Sequence, residues 1–373
     1  MRTLFAPTAP TRRWTITASE VAPAGPAEAQ LTWVLACQHA ADLADRPGEP
    51  ASGPAELRSL LVPPYRGRRM LFASTDVAGR SVGWARLGFY EAFHRDVAHA
   101  AITVHPSMRG CGVGSQLLEA LARAARGLHR TRMILDAPRT GATEAFAARH
   151  GLVLSGRDLR SRLDLKAPAL ADRLAAVSNG PEAGPASRAR RHARPDPGGD
   201  FATLRWNGPC PEQFLAAYVS TLDFLHASAT PNPRPTPSRA ASAIAATAEV
   251  AVIAPFTRAE VRHRELAASN AGLREYTACL IDRSSGRIAA LSSAHTADGL
   301  RGEQNETVVV PEYRGLGLAV RVKAQLIREL QAAEPSLAIL DTYNAVDNHR
   351  MLEVNRRLGF RMLDTHGAWT LTL

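Results

Sequence analysis

Residues 306–319 read Glu-Thr-Val-Val-Val-Pro-Glu-Tyr-Arg-Gly-Leu-Gly-Leu-Ala, and the rest of the chain is read outward from them. A β-branched run from Thr307 to Val310 stops at Pro311, a short turn with two glycines follows, and apolar residues then recur at helical spacing to about Ala333. That is a strand, a loop and a helix start. Arg314, Gly315 and Gly317 allow a tight turn with few side chains in the way, so backbone amides can face one bound anion. The first N–H groups of a helix lack internal partners and sit at the positive end of its dipole, which suits a phosphate or pyrophosphate. No Gly-Lys-Ser/Thr follows and Gly-x-Gly-x-x-Gly is absent, so neither a Walker loop nor a dinucleotide fingerprint is present.

The pattern occurs twice. Residues 101–115 read Ala-Ile-Thr-Val-His-Pro-Ser-Met-Arg-Gly-Cys-Gly-Val-Gly-Ser: again a strand, a proline, an Arg-x-x-Gly-x-Gly loop and a helix. Two such loops in the same strand-to-helix setting point to internal duplication.

Around the first loop the periodicities predict a strand at 14–17, helices at 28–43 and 56–62, a hairpin of 70–74 with 82–90, and a strand at 98–104. A helix at 113–126, a strand at 133–136, a helix at 142–150 and two final strands within 152–165 complete the half. The second half repeats the order: a strand at 201–206, helices at 211–224 and 258–270, a hairpin of 276–281 with 288–293, a strand at 303–310, a strand at 337–342, a helix at 347–358 and a closing pair of strands within 362–373. Pro231, Pro233, Pro235 and Pro237 exclude regular structure between the two helices. The expected fold class is α/β with a mixed α+β sheet, in two units, residues 1–166 and 201–373. A Pro/Gly/Ala-rich linker at 167–200 joins them, with a short helix near 170–177 and a basic strip at Arg188, Arg190, Arg191 and Arg194.

A chain of 373 residues accommodates two such units. Its net charge of +10 favours anionic partners, although only Lys166 and Lys323 among 45 basic residues are lysines, a skew that suggests a GC-rich coding bias. Four cysteines show neither a zinc spacing nor a paired framework, so no metal site is expected and a reducing, cytoplasmic setting is. No signal-peptide core is visible in residues 1–13, and the most apolar stretch, 240–256, is too short to span a bilayer, so no membrane association is expected.

Both loops resemble the acyl-CoA pyrophosphate loop of the GNAT superfamily of N-acyltransferases, and the chain as a whole resembles a tandem member with two fused domains. The likeness is closer in the second half, where Gln304-Asn305-Glu306-Thr307, residues 314–319, Asn344-Ala345, Asn348 and residues 351–360 are similar to actinobacterial tandem GNAT proteins. The resemblance implies acetyl-CoA, or another acyl-CoA, as cofactor and an amine of a small molecule as acceptor. It places the coenzyme on Val308, Val309, Val310, Arg314, Gly315, Leu316, Gly317, Leu318, Ala319, Asn344 and Asn348 in the second half. In the first half it places it on Ile102, Thr103, Val104, Arg109, Gly110, Cys111, Gly112, Val113, Gly114 and Ser115. It further implies that the strands flanking each cofactor site splay apart.

Acyl transfer to an amine needs a proton acceptor, a partner for the developing oxyanion and a route for the thiolate to leave. Glu306 is the candidate base, with Glu303 as a second choice and Gln304 as an acceptor-orienting group. The family's general-acid Tyr is replaced by Asn355, which cannot donate a proton as a phenol does, so Tyr343 is a candidate in its place. In the first half Ala101, Thr140 and Ala147 stand at the positions of Glu306, Asn348 and Asn355, and His94, His99 and His105 are weaker candidate bases. The second half is therefore expected to carry the chemistry, with acceptor selectivity in residues 223–256. Two alternatives are a GNAT-fold enzyme using an aminoacyl-tRNA as donor, motivated by the basic strip, and a non-catalytic CoA-sensing protein.

Overall fold

The computed structural model describes residues 14–91, 94–179, 201–227, 256–297 and 299–373. The first half runs β1 (Trp14–Glu20), α1 (Glu28–Asp45), α2 (Pro54–Leu61), β2 (Gly67–Asp76), β3 (Ser81–Tyr90), β4 (Val97–Val104), α3 (Val113–Gly127), β5 (Arg132–Pro138), α4 (Gly141–Arg149) and β6 (Val153–Asp164). After α5 (Leu170–Asn179) the second half repeats it: β7 (Phe201–Asn207), α6 (Glu212–Ala227), α7 (Arg258–Ala271), β8 (Arg274–Asp282), β9 (Ile288–Thr296), β10 (Arg301–Val309), α8 (Leu318–Ala333), β11 (Ile339–Ala345), α9 (His349–Leu358) and β12 (Arg361–Thr372). Local chemistry sets the ends of these elements. Pro54 occupies the first turn of α2, where its missing N–H costs nothing, and Thr257 caps α7 by accepting from Glu260 N at 3.1 Å.

All twelve strands form one mixed sheet in the order β1-β2-β3-β4-β5-β12-β6-β11-β10-β9-β8-β7. The two halves exchange their last strands: β12 lies between β5 and β6, and β6 pairs with β11. Trp369 of β12 is accordingly buried in the core under α3, while Leu163 of β6 is buried in the core under α8. This corrects the expectation of two closing strands in each half. Each half closes with one strand of 12 residues whose neighbours come from the other half. Gly156 marks no turn; a Cβ there would meet Ala368 Cβ at 3.2 Å, so it is a point of close approach between strands. The boundary between the units is thus one of sequence, not of the sheet.

The seam is held by charge as well as by strand pairing. Arg160, almost wholly buried, donates to Asp341 Oδ2 at 2.7 Å, Glu49 Oε2 at 2.6 Å and Asp364 Oδ2 at 3.1 Å, and Arg162 donates to Asp341 Oδ1 at 2.7 Å. These groups come from the loop after α1, β6, β11 and β12. Helix α5 packs Leu170 and Leu174 into the core under α8, so the start of the linker is part of the second half. The basic strip at Arg188–Arg194, the four prolines and nearly all of the proposed selectivity segment lie outside the described residues. Among the described residues no helix is long and apolar enough to cross a membrane.

Candidate active site

The two loops have the same backbone. A 3-10 turn, Pro106–Met108 or Pro311–Tyr313, leads to an extended arginine, Arg109 or Arg314, and then to two glycines with positive φ. The angles are +76° and +94° at Gly110 and Gly112, and +83° and +72° at Gly315 and Gly317, a region that favours glycine. A Cβ at Gly110, Gly315 or Gly317 would have no protein atom within 4 Å, so each loop faces open space. The first helical bond of α8 runs from Arg321 N to Gly317 O, and that of α3 from Gln116 N to Gly112 O. The amides of Leu318 and Ala319, and of Val113, Gly114 and Ser115, therefore have no partner within their helices, and this is a cradle for an anion. Each arginine folds back on the preceding strand: Arg314 Nε donates to Val309 O at 3.3 Å and Arg109 Nε to Val104 O at 3.4 Å. Arg109 also pairs with Asp45 at 2.6 Å, and Cys111, at the loop tip, is exposed.

The expected splay is present in both halves. Parallel pairing of β10 with β11 ends at Gln304 and Thr342, although the strands continue to Val309 and Ala345. Pairing of β4 with β5 ends at Ala100 and Leu135, short of Ile102, Thr103 and Val104. Val310 N donates to Ala289 O on β9, so strand alternation turns the N–H of Val309, between Val308 and Val310, toward the gap. In the first half Phe146 of α4 reaches over Gly114 and Val104, within 3.3 Å of a Cβ placed at Gly114. Val354 stands at the matching place in the second half.

Between Gln304 and Thr307, β10 carries a bulge that β4 lacks. The extra residue turns both Asn305 and Glu306 toward a cavity of about 160 Å³ between the two halves, walled by α7, the faces of β8 and β9, and residues from the end of α2 to β3. Glu306 Oε2 accepts from Ser293 Oγ at 2.9 Å, and Oε1 accepts from Arg264 Nη2 at 3.2 Å. Burial opposes charge on Arg264, but the negative charge of Glu306, helped by Glu260, outweighs it, and its guanidinium lies over the Phe256 ring at 5.3 Å. Glu275 lines the same cavity, and burial, followed by the charge of Glu306, pushes it up to about 7. Burial and the same negative charge raise the Tyr218 phenol.

On the opposite face of β11 lies a second polar group. Lys323, fully buried in α8, donates to Asn355 Oδ1, and Asn355 Nδ2 donates to Asn344 Oδ1 at 2.6 Å. Burial pushes the lysine amine down to about 7, and its Nζ lies 5.2 Å from the Phe360 ring centroid. Asn348 caps α9 by accepting from Met351 N at 3.2 Å, as Thr140 caps α4. Tyr343 points the other way, edge-on to His366 with ring centroids 5.1 Å apart, so the strand alternation separates it from Asn344 and Asn355. Gln304 donates to Ser292 Oγ at 2.8 Å and does not line the cavity; neither does Glu303. His99 is buried in the sheet, and His105 accepts from Ser107 N in the first loop's turn.

Sequence reading missed Glu275, Arg264, Ser293 and Lys323. Lys323 carried a signal, as one of two lysines and the charged residue within an apolar helical stripe. Glu275 and Ser293 become visible only once the register of β8 and β9 is known, and Arg264 only once α7 is placed over them.

Comparison with known proteins gives the fold a name. The family profile "Acetyltransferase (GNAT) domain" matches residues 66–151, which lie in the first half. A search of curated proteins finds no match. Among solved structures, a tandem GNAT protein from the clavulanic acid biosynthesis pathway superposes with a TM-score of 0.72 at 21% identity, covering 96% of this chain and 98% of its own. A GCN5-related N-acetyltransferase from Sphaerobacter thermophilus gives 0.61 at 13% identity, with 97% and 96% covered. Saccharomyces cerevisiae N-myristoyltransferase with bound myristoyl-CoA gives 0.54 at 10%, with 99% and 82% covered. The chain has a tandem GNAT fold.

Proposed function

We propose, from a tandem GNAT fold with an anion cradle and a carboxylate-lined cavity on one strand, that this protein is an acyl-CoA-dependent N-acyltransferase. The second half acts on an amine of a small molecule by direct attack in a ternary complex, with acetyl-CoA as the first donor to test. The observation that carries this reading is the placement of Glu306, bulged into the cavity on the strand that ends at the 314–319 loop.

When bound, the coenzyme would supply an acyl group activated as a thioester. The open glycine backbone and the free amides at the start of α8 fit its diphosphate. Val309 N–H, turned into the gap, is aligned to stabilise charge developing on the acyl oxygen. Glu306 takes the proton of the incoming ammonium, held by Ser293 and Arg264, and Glu275 shares the site's negative charge. Lys323, bonded to Asn355 Oδ1 from behind, offers a titratable proton donor next to the position where the amide cannot supply one. Phe146 crowds the equivalent groove of the first half, and Ala101 offers no base there, which favours the second half as the reacting one.

The test is release of free thiol from acetyl-CoA across an amine panel, run with the wild type and with Glu306→Gln. Amine-dependent release that Glu306→Gln abolishes supports the reading. Tight coenzyme binding with no release against any amine favours a sensing role.

A further inference from the structure

Arg69 of β2 and Glu275 of β8 occupy the same place in the two halves. Gly83 pairs with Val104 just ahead of the first loop, and Ala290 with Val309 just ahead of the second. Five residues farther along each strand, Gly88 pairs with Arg69 and His295 with Glu275. Because the halves face one another through α2 and α7, both residues line the one cavity, which thus has a basic wall from the first half and an acidic wall from the second.

Arg69 brings this wall a charge that no carboxylate among the described residues balances. Arg69 is 4% exposed, and its guanidinium lies on Gly88, where a Cβ would sit 3.5 Å from Nη2. It donates to the carbonyl of Leu60, yet its Nε has no hydrogen-bond partner among the described residues, and no carboxylate among them pairs with it. Arg86 lines the same wall, and burial together with this like charge pulls Arg69 down to about 9. A buried guanidinium with an unused donor and a cationic neighbour is costly unless an anion completes it.

We propose that the acceptor carries a carboxylate as well as its amine: an amino-acid-class molecule whose ammonium faces Glu306 and Glu275 and whose carboxylate is taken by Arg69 and Arg86. The amine half of this assignment rests on the transferase reading above; the anion half rests on Arg69 alone. Two rigid walls of opposite sign also fix orientation, since a reversed acceptor would set like charges together at both ends.

The experiment compares α- and ω-amino carboxylates with alkylamines of equal chain length. It measures binding by calorimetry in the presence of saturating CoA, and kcat/KM by thiol release from acetyl-CoA. Aminoalkylphosphonates serve as a further arm, to separate carboxylate from other anions. At least one amino carboxylate is expected to bind 10-fold or more tighter than its alkylamine, and Arg69→Met and Arg86→Gln are each expected to lower that ratio at least 10-fold. Arg69→Met is also expected to raise Tm, because it removes an uncompensated charge; if it fails to fold, Arg86→Gln and Arg69→Lys decide the ratio. Equal binding of both series, or a ratio unmoved by the variants, overturns the proposal, as does a preference for phosphonates alone. Thiol release with alkylamines as good as with amino carboxylates leaves the transferase reading standing and the amino-acid assignment refuted. Arg69-dependent binding with no thiol release from any amine does the reverse.

Discussion

Glu306 Oε1 lies 3.2 Å from Arg264 Nη2, while Ser293 Oγ donates to the other oxygen at 2.9 Å, so the carboxylate is fixed in orientation before any acceptor arrives. A base held this way contributes through both position and charge. Glu306→Gln keeps the shape and loses the proton acceptor, and it is expected to lower kcat by about 10²–10⁴-fold with coenzyme affinity little changed. Steady-state kinetics beside calorimetry separates the two. A loss confined to KM would assign Glu306 to acceptor binding alone.

Glu275 is expected to set the acid limb of the rate. Burial, followed by the charge of Glu306, raises Glu275 to about 7, so its protonation as pH falls through neutrality removes negative charge that an ammonium needs. The kcat/KM profile is expected to fall below an apparent pKa near 7. Glu275→Gln removes the group that titrates there, and the limb near 7 should disappear. An unmoved limb would take Glu275 out of the reacting pair.

Burial of Lys323 costs stability, against which stands its proposed role beside Asn355. Burial alone pulls its amine down to about 7, against an unfolded value near 10.5. Between those limits the unfolded chain holds more protons than the folded one, so folding stability rises with pH across that window. Lys323→Met is expected to raise stability at pH 7 by on the order of 2 kcal/mol, to lose the alkaline rise and to lower kcat. Urea unfolding from pH 7 to 10 reads the first two. A destabilised Lys323→Met with full activity would show the lysine to be a packing residue.

Asp341 joins Arg160 and Arg162 across the exchanged strands. Burial raises the carboxyl, but the hydrogen bonds and charges of Arg162 and Arg160 outweigh it and hold it below its ordinary value, as they do for Glu49. Carboxylates depressed on folding lend stability above the ordinary range near pH 4, and that stability is lost as pH falls through their folded values. Asp341→Asn is expected to cost about 3 kcal/mol at neutral pH and to flatten the acid loss of Tm. Since the seam ties both halves, both should unfold together in the wild type.

The sequence carried most of the fold because strand and helix periods are local. The duplicated loop located both helix starts, and the turn at Pro311 and the glycines at 315 and 317 read directly as backbone geometry. The exchange of β6 and β12 was not legible, since alternation marks a strand and not its partner 200 residues away. The bulge at Asn305 and Glu306 was hidden for a related reason: one extra residue appears only against the register of β9. Tyr343, the candidate in place of the missing phenol, faces the other side of β11 from Asn344, because adjacent residues on a strand alternate. Lys323, the proposed donor in its place, comes from α8, a helix that sequence spacing cannot set beside Asn355.

The most direct measurement is a crystal structure with a non-transferable acetyl-CoA analogue at saturating concentration. The expected result is diphosphate on the amides of residues 314–319 and an acyl oxygen at Val309 N–H, with the acyl carbon opening onto the cavity that holds Glu306; Gly317→Glu should abolish that binding. A second-half loop left empty while the analogue binds elsewhere, or an acyl group turned away from Glu306, would contradict the account.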